Sequence, residues 1–435
     1  MLSKKNPWFN KIVEYAFYVY LFLLPWQTRY IINYGFLNGP IEYGTYALYA
    51  TDILLIIVFL LSWFYKNINP VETCHGKSLR GYNAIILLSI FAFISFFSVY
   101  WADNHELAFY AWMRIVGAII FIFLLIKLNL SLTKISLSLI AAGFIQALLG
   151  IWQFFVQNIP AYSWLGMSSH NPTTLGDQVV ETITGRFLRA YGSLPHPNIL
   201  GGFLMACLLL IIFLALKNPT KIIKIFLAIC LPIITAGLFF SFSRSAWIGF
   251  FIGWLFILFF IHWQHKILLN KFLKISCFLA LTFTVLTLIY PNLIIGRVFL
   301  IDRLEKKSIS ERAEFQQQSL NIIIKNWPIG VGIGNYTREI YNKYDDNLSS
   351  YNYQPVHNIY LLLFAEIGIF GLSIFLLFII NSFKNINLTN LSSIAAGILL
   401  ISFLIIGFFD HYLITQNFGL MLFFLPLGLL HKNCG

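Results

Sequence analysis

The chain of 435 residues is 59% hydrophobic, contains 44 phenylalanines and has only 11% charged residues. A soluble domain carries about a quarter of its residues as charges, so this composition excludes an ordinary soluble protein and predicts a polytopic membrane protein. The formal net charge of +12 does not indicate nucleic-acid binding, because the basic residues fall between apolar runs and form no single stripe.

Twelve apolar runs, taken in chain order, predict twelve membrane-spanning helices of roughly the 20-residue length that crosses a bilayer. They lie at 12–24, 46–65, 82–101, 108–128, 135–157, 197–216, 222–241, 245–262, 272–290, 357–381, 391–409 and 412–430. Because a helix satisfies its own backbone hydrogen bonds in lipid, the predicted fold class is an all-α polytopic membrane protein. Pro25 and Trp26 follow the first run where a signal peptide would have a small-residue cleavage site, so that run is predicted to be an uncleaved span.

Lysine and arginine are distributed asymmetrically over the connecting loops. One set of loops carries Lys4, Lys5, Lys11, Lys66, Lys77, Arg80, Lys127, Lys134, Lys217, Lys221, Lys224, Lys266, Lys271, Lys274, Lys384 and Lys432. The short loops of the other set carry only Arg29 and Arg244. The positive-inside rule therefore predicts cytoplasmic termini, with long outer loops at about 158–195 and 291–356. We expect three regions: helices 1–9 in residues 1–290, a loop domain at 291–356 between helices 9 and 10, and helices 10–12 in residues 357–435.

The two long loops differ in their sequence patterns. The first is rich in glycine and proline, which predicts an irregular, turn-rich structure. The second contains one helix candidate, with Ser308 and Glu311 in a capping-box pattern and Pro328 beyond its end. The glycines at 330, 332 and 334 lack the strand and the lysine of a nucleotide-binding loop, so we interpret them as a turn that allows close backbone packing.

The cysteines and the intramembrane acids give weaker signals. Cys74, Cys207, Cys230, Cys277 and Cys434 have no metal-ligand spacing and fall outside the predicted outer loops, so we expect thiols without disulfides. Asp52 and Glu366 lie in apolar runs, where carboxylates are functional candidates. Glu366 follows His357 by nine residues, roughly 13 Å along a straight helix, which favours a structural or gating role. Asp410 and His411, at the last predicted outer turn, fit a functional role and a boundary pair equally well.

Four basic residues stand at predicted outer boundaries: Arg189, Arg244, Arg312 and His357. A boundary arginine can simply extend its guanidinium into the lipid headgroups. Arg244 fits that explanation least, because it is the only charge in a very short outer turn and is flanked by small serines. The planar fork of arginine suits phosphate, and imidazole titrates near neutral pH, so the four residues indicate an anionic ligand, such as a pyrophosphate, and a general base.

The motifs GSLPHPN, SFSRSAWIG, SERAEFQQQSLNIIIKNWPIGVGIGNY and HNIYLLLFAEIGIFGL follow one another between about residues 185 and 375. In this order they resemble the O-antigen ligase and polymerase superfamily. The resemblance implies a metal-independent, cofactor-free glycosyltransferase of the bacterial inner membrane. Its donor would be a glycan on undecaprenyl diphosphate at the periplasmic face, and its acceptor a hydroxyl, in ligases that of lipid A–core.

The resemblance also assigns roles to residues of this chain. Arg189, Arg244 and Arg312 would hold the diphosphate, and His357 would act as the general base or position the acceptor in a single inverting displacement. The same motifs supply three further candidates for substrate binding, namely His196, Asn198 and Asn358. His196 lies between two prolines, so a role in a rigid turn is the alternative.

Three other functions stay open from the sequence. A polymerase would use the same donor with a lipid-linked glycan as acceptor, and an outer loop with a single amphipathic helix favours the ligase slightly. A transporter of lipid-linked glycans would suit twelve spans, but related halves and broken midplane helices are not evident in the sequence. An inert assembly scaffold would leave the outward arginines without a role.

Overall fold

The computed structural model describes residues 7–66, 78–182, 185–299, 303–344 and 346–432. These residues form the helices α1 (Pro7–Leu23), α2 (Ala50–Ser62), α3 (Ser78–Phe97), α4 (His105–Lys127), α5 (Leu132–Val156), α6 (Pro197–Leu216), α7 (Lys221–Phe240), α8 (Arg244–Gln264), α9 (Leu269–Ile289), α10 (Pro291–Phe299), α11 (Arg303–Asn326), α12 (Tyr336–Lys343), α13 (Ile359–Phe383), α14 (Leu391–Gly407), α15 (Tyr412–Thr415) and α16 (Asn417–Lys432). Every predicted apolar run coincides with a helix in this series.

Seven of the described helices are long and apolar enough to cross a membrane, namely α4 to α9 and α13. Shorter apolar helices occur at Ala50–Ser62, Ile86–Phe97, Leu391–Gly407 and Asn417–Lys432. The predicted multi-pass membrane protein is therefore confirmed, while the count of twelve spans stays a prediction.

Helix α6 lies at the centre of the helical bundle. Its spanning residues are 94% buried, whereas those of α9 are only 11% buried. A helix that is apolar on all sides is stable when other helices surround it, and α6 packs against α5, α7, α8 and α14. Small residues permit this close approach, since a side chain on Gly143 would overlap the sulfur of Cys207. Helix α9 therefore lies at the lipid-facing periphery.

Two β-hairpins correct the all-α prediction. Strands β1 (Arg29–Phe36) and β2 (Pro40–Tyr49) form an antiparallel pair between α1 and α2. Strands β3 (Val179–Thr182) and β4 (Gly185–Leu188) form a second pair in the first long loop, which is otherwise turn-rich as predicted. The predicted run at 46–65 began too early, because residues 46–49 belong to β2. The dipeptide Asn38–Gly39 between aromatic and β-branched residues was the available hairpin signal.

The second long loop contains three helices, α10, α11 and α12, so the prediction of a single helix is wrong. The capping box is also wrong, because Ser308 and Glu311 lie inside α11. Strong helix formers from Arg303 to Lys307 extend this helix towards its N-terminus, and Glu311 forms an ion pair with Lys307 at 3.4 Å. The helix ends at Asn326, before Pro328, as predicted.

The glycine-rich turn after α11 packs against a break in α13. The backbone N–H of Val331 donates to the carbonyl of Ala365 at 2.9 Å, and that of Gly332 donates to the carbonyl of Glu366 at 2.8 Å. Gly368 interrupts α13 with a φ of +66°, a value that L side chains rarely adopt. The predicted close-packing turn is confirmed, and it fixes the first half of α13 against the long loop.

The predicted carboxylates inside apolar runs have structural partners. Asp52 accepts a hydrogen bond from the backbone N–H of Tyr49 at 3.1 Å and another from the side chain of Asn417 at 2.8 Å. The carboxyl of Glu366 accepts from the backbone N–H groups of Gly334 and Tyr336. Both contacts join separate segments of the bundle, in keeping with the structural role predicted for Glu366.

Three of the five cysteines fall within the described residues, and all three are free, as predicted. Cys74 and Cys434 lie outside the described residues.

Candidate active site

His357 is held at the N-terminal end of α13. The next residue, Asn358, caps this helix, and its side-chain oxygen accepts from the N–H groups of Tyr360 at 2.9 Å and Leu361 at 3.1 Å. Because Asn358 is the cap residue, the preceding His357 lies outside the helix. The side chain of His357 is 19% exposed.

Asp410 lies beside His357, in the turn between α14 and α15. One carboxylate oxygen of Asp410 is 3.8 Å from Nδ1 of His357, and that nitrogen has no hydrogen-bond partner within the described residues. Burial by itself would raise the pKa of Asp410, but the attraction of the neighbouring His357 imidazole outweighs it and lowers the pKa below its ordinary range. Asp410 is therefore a buried anion next to the imidazole of His357.

His411 completes this cluster. Burial, together with the neighbouring His357, lowers the pKa of His411 to about 3, so its ring is neutral at physiological pH. Its Nδ1 lies 2.8 Å from the hydroxyl of Thr415. Ligand-type atoms of His357, Asp410 and His411 all lie within 4.8 Å of one another, a spacing that the ligands of a metal ion also have. The expected absence of a metal therefore stays a prediction.

The side chain of Asn198, at the start of α6, connects Asp410 to Arg189. The amide nitrogen of Asn198 donates to Asp410 at 2.7 Å, and its oxygen accepts from a terminal guanidinium nitrogen of Arg189 at 2.6 Å. The Nε of Arg189 donates to the carbonyl of Ser241 at 2.8 Å. His196 caps α6 by accepting from the backbone N–H of Asn198 at 3.0 Å, a position that fits the rigid-turn interpretation of His196.

An arginine-lined cavity of about 270 Å³ opens beside this network, between the two long loops. Five basic side chains and two carboxylates line it; these are Arg186, Arg189, Arg297, Lys307, Arg312, Asp177 and Glu311. Arg189 is 3% exposed and Arg297 is 8% exposed, and the Nε of Arg297 donates to the carbonyl of Phe242 at 3.0 Å. A cavity with this excess of fixed positive charge is suited to an anion.

A second cavity of about 250 Å³ adjoins the first. We call it the polar chamber; the β1–β2 hairpin contributes Arg29, Glu42 and Tyr43 to its wall. Arg29 and Glu42 neutralise each other through a bidentate ion pair, in which Nη2 of Arg29 donates to Oε2 of Glu42 at 2.8 Å. His196, Gln354 and His357 line both cavities, so the imidazole of His357 stands on the wall that the cavities share.

The structure brings most of the predicted site residues together. Five of them line the arginine-lined cavity, namely Arg189, His196, Asn198, Arg312 and His357. Asn358 is a helix cap, and Arg244 begins α8 directly after its cap residue Ser243. In the part of the chain that the structure describes, neither cavity has Arg244 or Asn358 in its wall.

Sequence reasoning missed Arg186, Arg297 and the role of Asp410. Arg297 was detectable as a single arginine among apolar residues shortly after the ninth run, in the same predicted outer loop as Arg312. Arg186 precedes Arg189 by three residues in the motif GRFLRAYG. The proximity of Asp410 to His357 gave no local signal, because 53 residues separate the two in the sequence.

Comparison with known proteins agrees with the composition of this site. Residues 226–376 match a protein-family model described as O-antigen ligase. The matched segment runs from α7 into α13 and includes Arg244, Arg297, Arg312 and His357, whereas Arg189 precedes it and Asp410 follows it. No curated protein matches the chain. Residues 226–376 of this multi-pass membrane protein, about a third of the chain, are therefore similar to the O-antigen ligase family.

Proposed function

We propose that this protein is an O-antigen ligase-type glycosyltransferase of the bacterial inner membrane. It moves a glycan from undecaprenyl diphosphate to a hydroxyl of an acceptor, such as lipid A–core, at the periplasmic face and without a metal ion. The observation that carries the proposal is the position of His357 on the wall between the arginine-lined cavity and the polar chamber.

The arginine-lined cavity is suited to the diphosphate of the donor. Arginines that only extend into lipid headgroups end in water or among phosphates at the surface. Arg189 and Arg297 instead are almost completely buried and are oriented by backbone carbonyls. The wall of this cavity carries more basic side chains than carboxylates, and the planar guanidinium fork suits a diphosphate, which supports a ligand role over the boundary explanation.

The polar chamber is suited to the acceptor. The Arg29 guanidinium in its wall is already balanced by Glu42, so the chamber favours a neutral sugar hydroxyl over a second diphosphate beside His357. A neutral sugar hydroxyl is the attacking group in a ligase and in a polymerase alike. A polymerase is the alternative within the superfamily, and the glycans of a gene-deletion strain distinguish the two: intact lipid-linked polymer indicates a ligase, and single repeat units indicate a polymerase.

The chemistry is a single displacement at the anomeric carbon. His357 accepts the proton of the acceptor hydroxyl as that oxygen bonds to the anomeric carbon, and the bond to the diphosphate oxygen breaks. The departing diphosphate takes the electron pair, and the arginines offset its growing negative charge. Asp410 stabilises the imidazolium form of His357. Attack opposite the leaving group inverts the anomeric configuration.

The decisive experiment measures glycan transfer from an undecaprenyl-diphosphate donor to purified lipid A–core in the presence of EDTA. We expect transfer by the wild type, and transfer reduced to background by His357→Gln. His105→Gln is the matched control, because this histidine lies at the N-terminal end of a membrane helix, as its first residue, but outside both cavities. Loss of wild-type transfer in EDTA, with recovery on adding a divalent cation, would refute the metal-independent mechanism.

Arg244 is tested in the same assay, since the family resemblance assigns it to the diphosphate. Arg244→Gln lowers transfer by about 100-fold or more if this arginine contacts the donor, by analogy with the loss of one oxyanion-stabilising donor. Transfer at the wild-type rate would remove Arg244 from the site and leave Arg189, Arg297 and Arg312 to hold the diphosphate.

A further inference from the structure

A second basic cluster lies at the opposite end of the bundle from the candidate active site. Helix α7 ends beside that site, where Phe240 accepts a backbone hydrogen bond from Ala190 at 2.9 Å. The 20 residues of α7 span roughly 30 Å at 1.5 Å per residue, so its first turn is far from the chemistry. Between the first turns of α7 and α9 lies a groove of about 310 Å³, lined also by α6. We call it the lysine groove.

The lysine groove concentrates uncompensated positive charge. Lys224 of α7 and Lys271 and Lys274 of α9 line it, and the described residues contribute no carboxylate to its wall. Both helices begin here without an acidic residue in the first turn, so the positive ends of their dipoles add to the lysine charges. Asn218 holds Lys271 by a hydrogen bond of 2.6 Å from the ammonium to its side-chain oxygen. Three like charges in one groove repel one another, and a bound anion relieves that repulsion.

The rest of the groove is apolar. Its other wall residues, among them Leu231 and Phe278, are all hydrocarbon side chains, and α9 is the most exposed of the seven candidate spans. A cationic rim over an apolar floor matches the two parts of a phospholipid, with the phosphate at the lysines and the acyl chains along α7 and α9. A soluble anion would gain nothing from the apolar floor.

We propose that the lysine groove binds one anionic phospholipid of the leaflet that faces the lysine end of the bundle. The bound lipid joins α9 to α6 and α7 and so stabilises the peripheral helix that carries α10 and Arg297. This site is separate from the glycan-transfer site and does not depend on the proposed enzymatic function.

The test compares lipid stabilisation of the purified full-length protein in a neutral detergent. Dioleoyl-phosphatidylglycerol or dioleoyl-phosphatidylcholine is added, and the unfolding temperature is followed by tryptophan fluorescence. We expect phosphatidylglycerol to raise the unfolding temperature by several degrees and phosphatidylcholine to leave it unchanged. The variant Lys224→Gln/Lys271→Gln/Lys274→Gln loses this rise.

The matched control variant is Lys221→Gln/Lys266→Gln/Lys384→Gln, which removes three exposed lysines from the same end of the bundle but outside the groove. It keeps the full response to phosphatidylglycerol. Should the groove variant fail to fold, replacement of the three groove lysines by arginine keeps the charge, and we expect it to keep the response.

Several results would overturn the proposal. One is an equal response to the two lipids, which would indicate non-specific insertion. A second is an equal loss in the groove and control variants, which would indicate diffuse surface charge. A third is the same stabilisation by inorganic phosphate, which would assign the groove to a soluble anion. Failure of the arginine variant to respond would exclude a charge-based lipid site.

Discussion

Replacing Asp410 by asparagine removes the negative charge of the side chain and keeps its shape. Opposite unit charges 3.8 Å apart attract by about 4 kcal/mol in surroundings of intermediate polarity. In the proposed mechanism this attraction acts only when His357 carries the proton, which it gains in the transition state. Loss of the attraction therefore raises the free energy of the transition state. Each 1.4 kcal/mol corresponds to a tenfold change in rate, and we therefore expect kcat for glycan transfer to fall by about 10²- to 10³-fold.

The same substitution affects folding to a smaller extent. One oxygen of Asp410 accepts from the backbone N–H of His411 at 2.9 Å and the other accepts from Asn198 at 2.7 Å. The asparagine amide can accept only one of these hydrogen bonds, so one buried donor loses its partner at a cost of about 1–3 kcal/mol. Unfolding temperature measured beside kcat separates this loss of stability from the loss of catalysis.

The matched control is Asp103→Asn, which removes a partly exposed carboxylate paired with Arg338 at 3.3 Å, away from both cavities. We expect it to leave kcat unchanged. The assay measures kcat for glycan transfer at a fixed pH. A folded Asp410→Asn enzyme with the wild-type rate would refute the assigned role of this carboxylate.

Three further predictions test the donor site, the buried histidine and the break in α13. Arg312→Gln lowers transfer by about 10²- to 10³-fold, whereas Arg338→Gln, a surface arginine on the same loop, does not; equal rates would exclude Arg312 from the diphosphate site. Burial lowers the pKa of His411 to about 3, so below about pH 6.5 this histidine is protonated in the unfolded chain but not in the folded protein. The free energy of unfolding therefore falls by up to about 1.4 kcal/mol per pH unit as the pH drops below about 6.5. Unfolding temperatures between pH 7.5 and 5 show this slope, and His411→Asn makes it shallower; an unchanged slope would contradict the assignment. Gly368→Ala would place a side-chain carbon 2.2 Å from the carbonyl oxygen of Pro328 at a φ of +66°, and we expect a loss of at least about 2 kcal/mol in unfolding free energy. Gly176→Ala is its control, with a φ of +94° and open space around it, and a loss as large as that of Gly368→Ala would show that backbone strain alone is responsible.

Local sequence patterns singled out Arg189 and Arg312 as candidates but did not single out Arg297. Arg189 and Arg312 stand in motifs with a recognisable local pattern, and His357 precedes an apolar run. The buried state of Arg297 depends on its hydrogen bond to the carbonyl of Phe242, 55 residues earlier in the chain. No local pattern encodes a contact of that separation.

The sequence by itself determined the membrane class, the positions of the apolar helices and the boundaries at which basic residues occur. These features depend on hydropathy over roughly 20 consecutive residues, a length set by the bilayer. Only the tertiary structure placed Asp410 beside His357, joined Arg189 to Asp410 through Asn198, and set Arg244 outside both cavities. Those placements depend on which helices pack around α6 and on where turns interrupt the helices. Such long-range packing is determined by the shapes of side chains across the whole bundle.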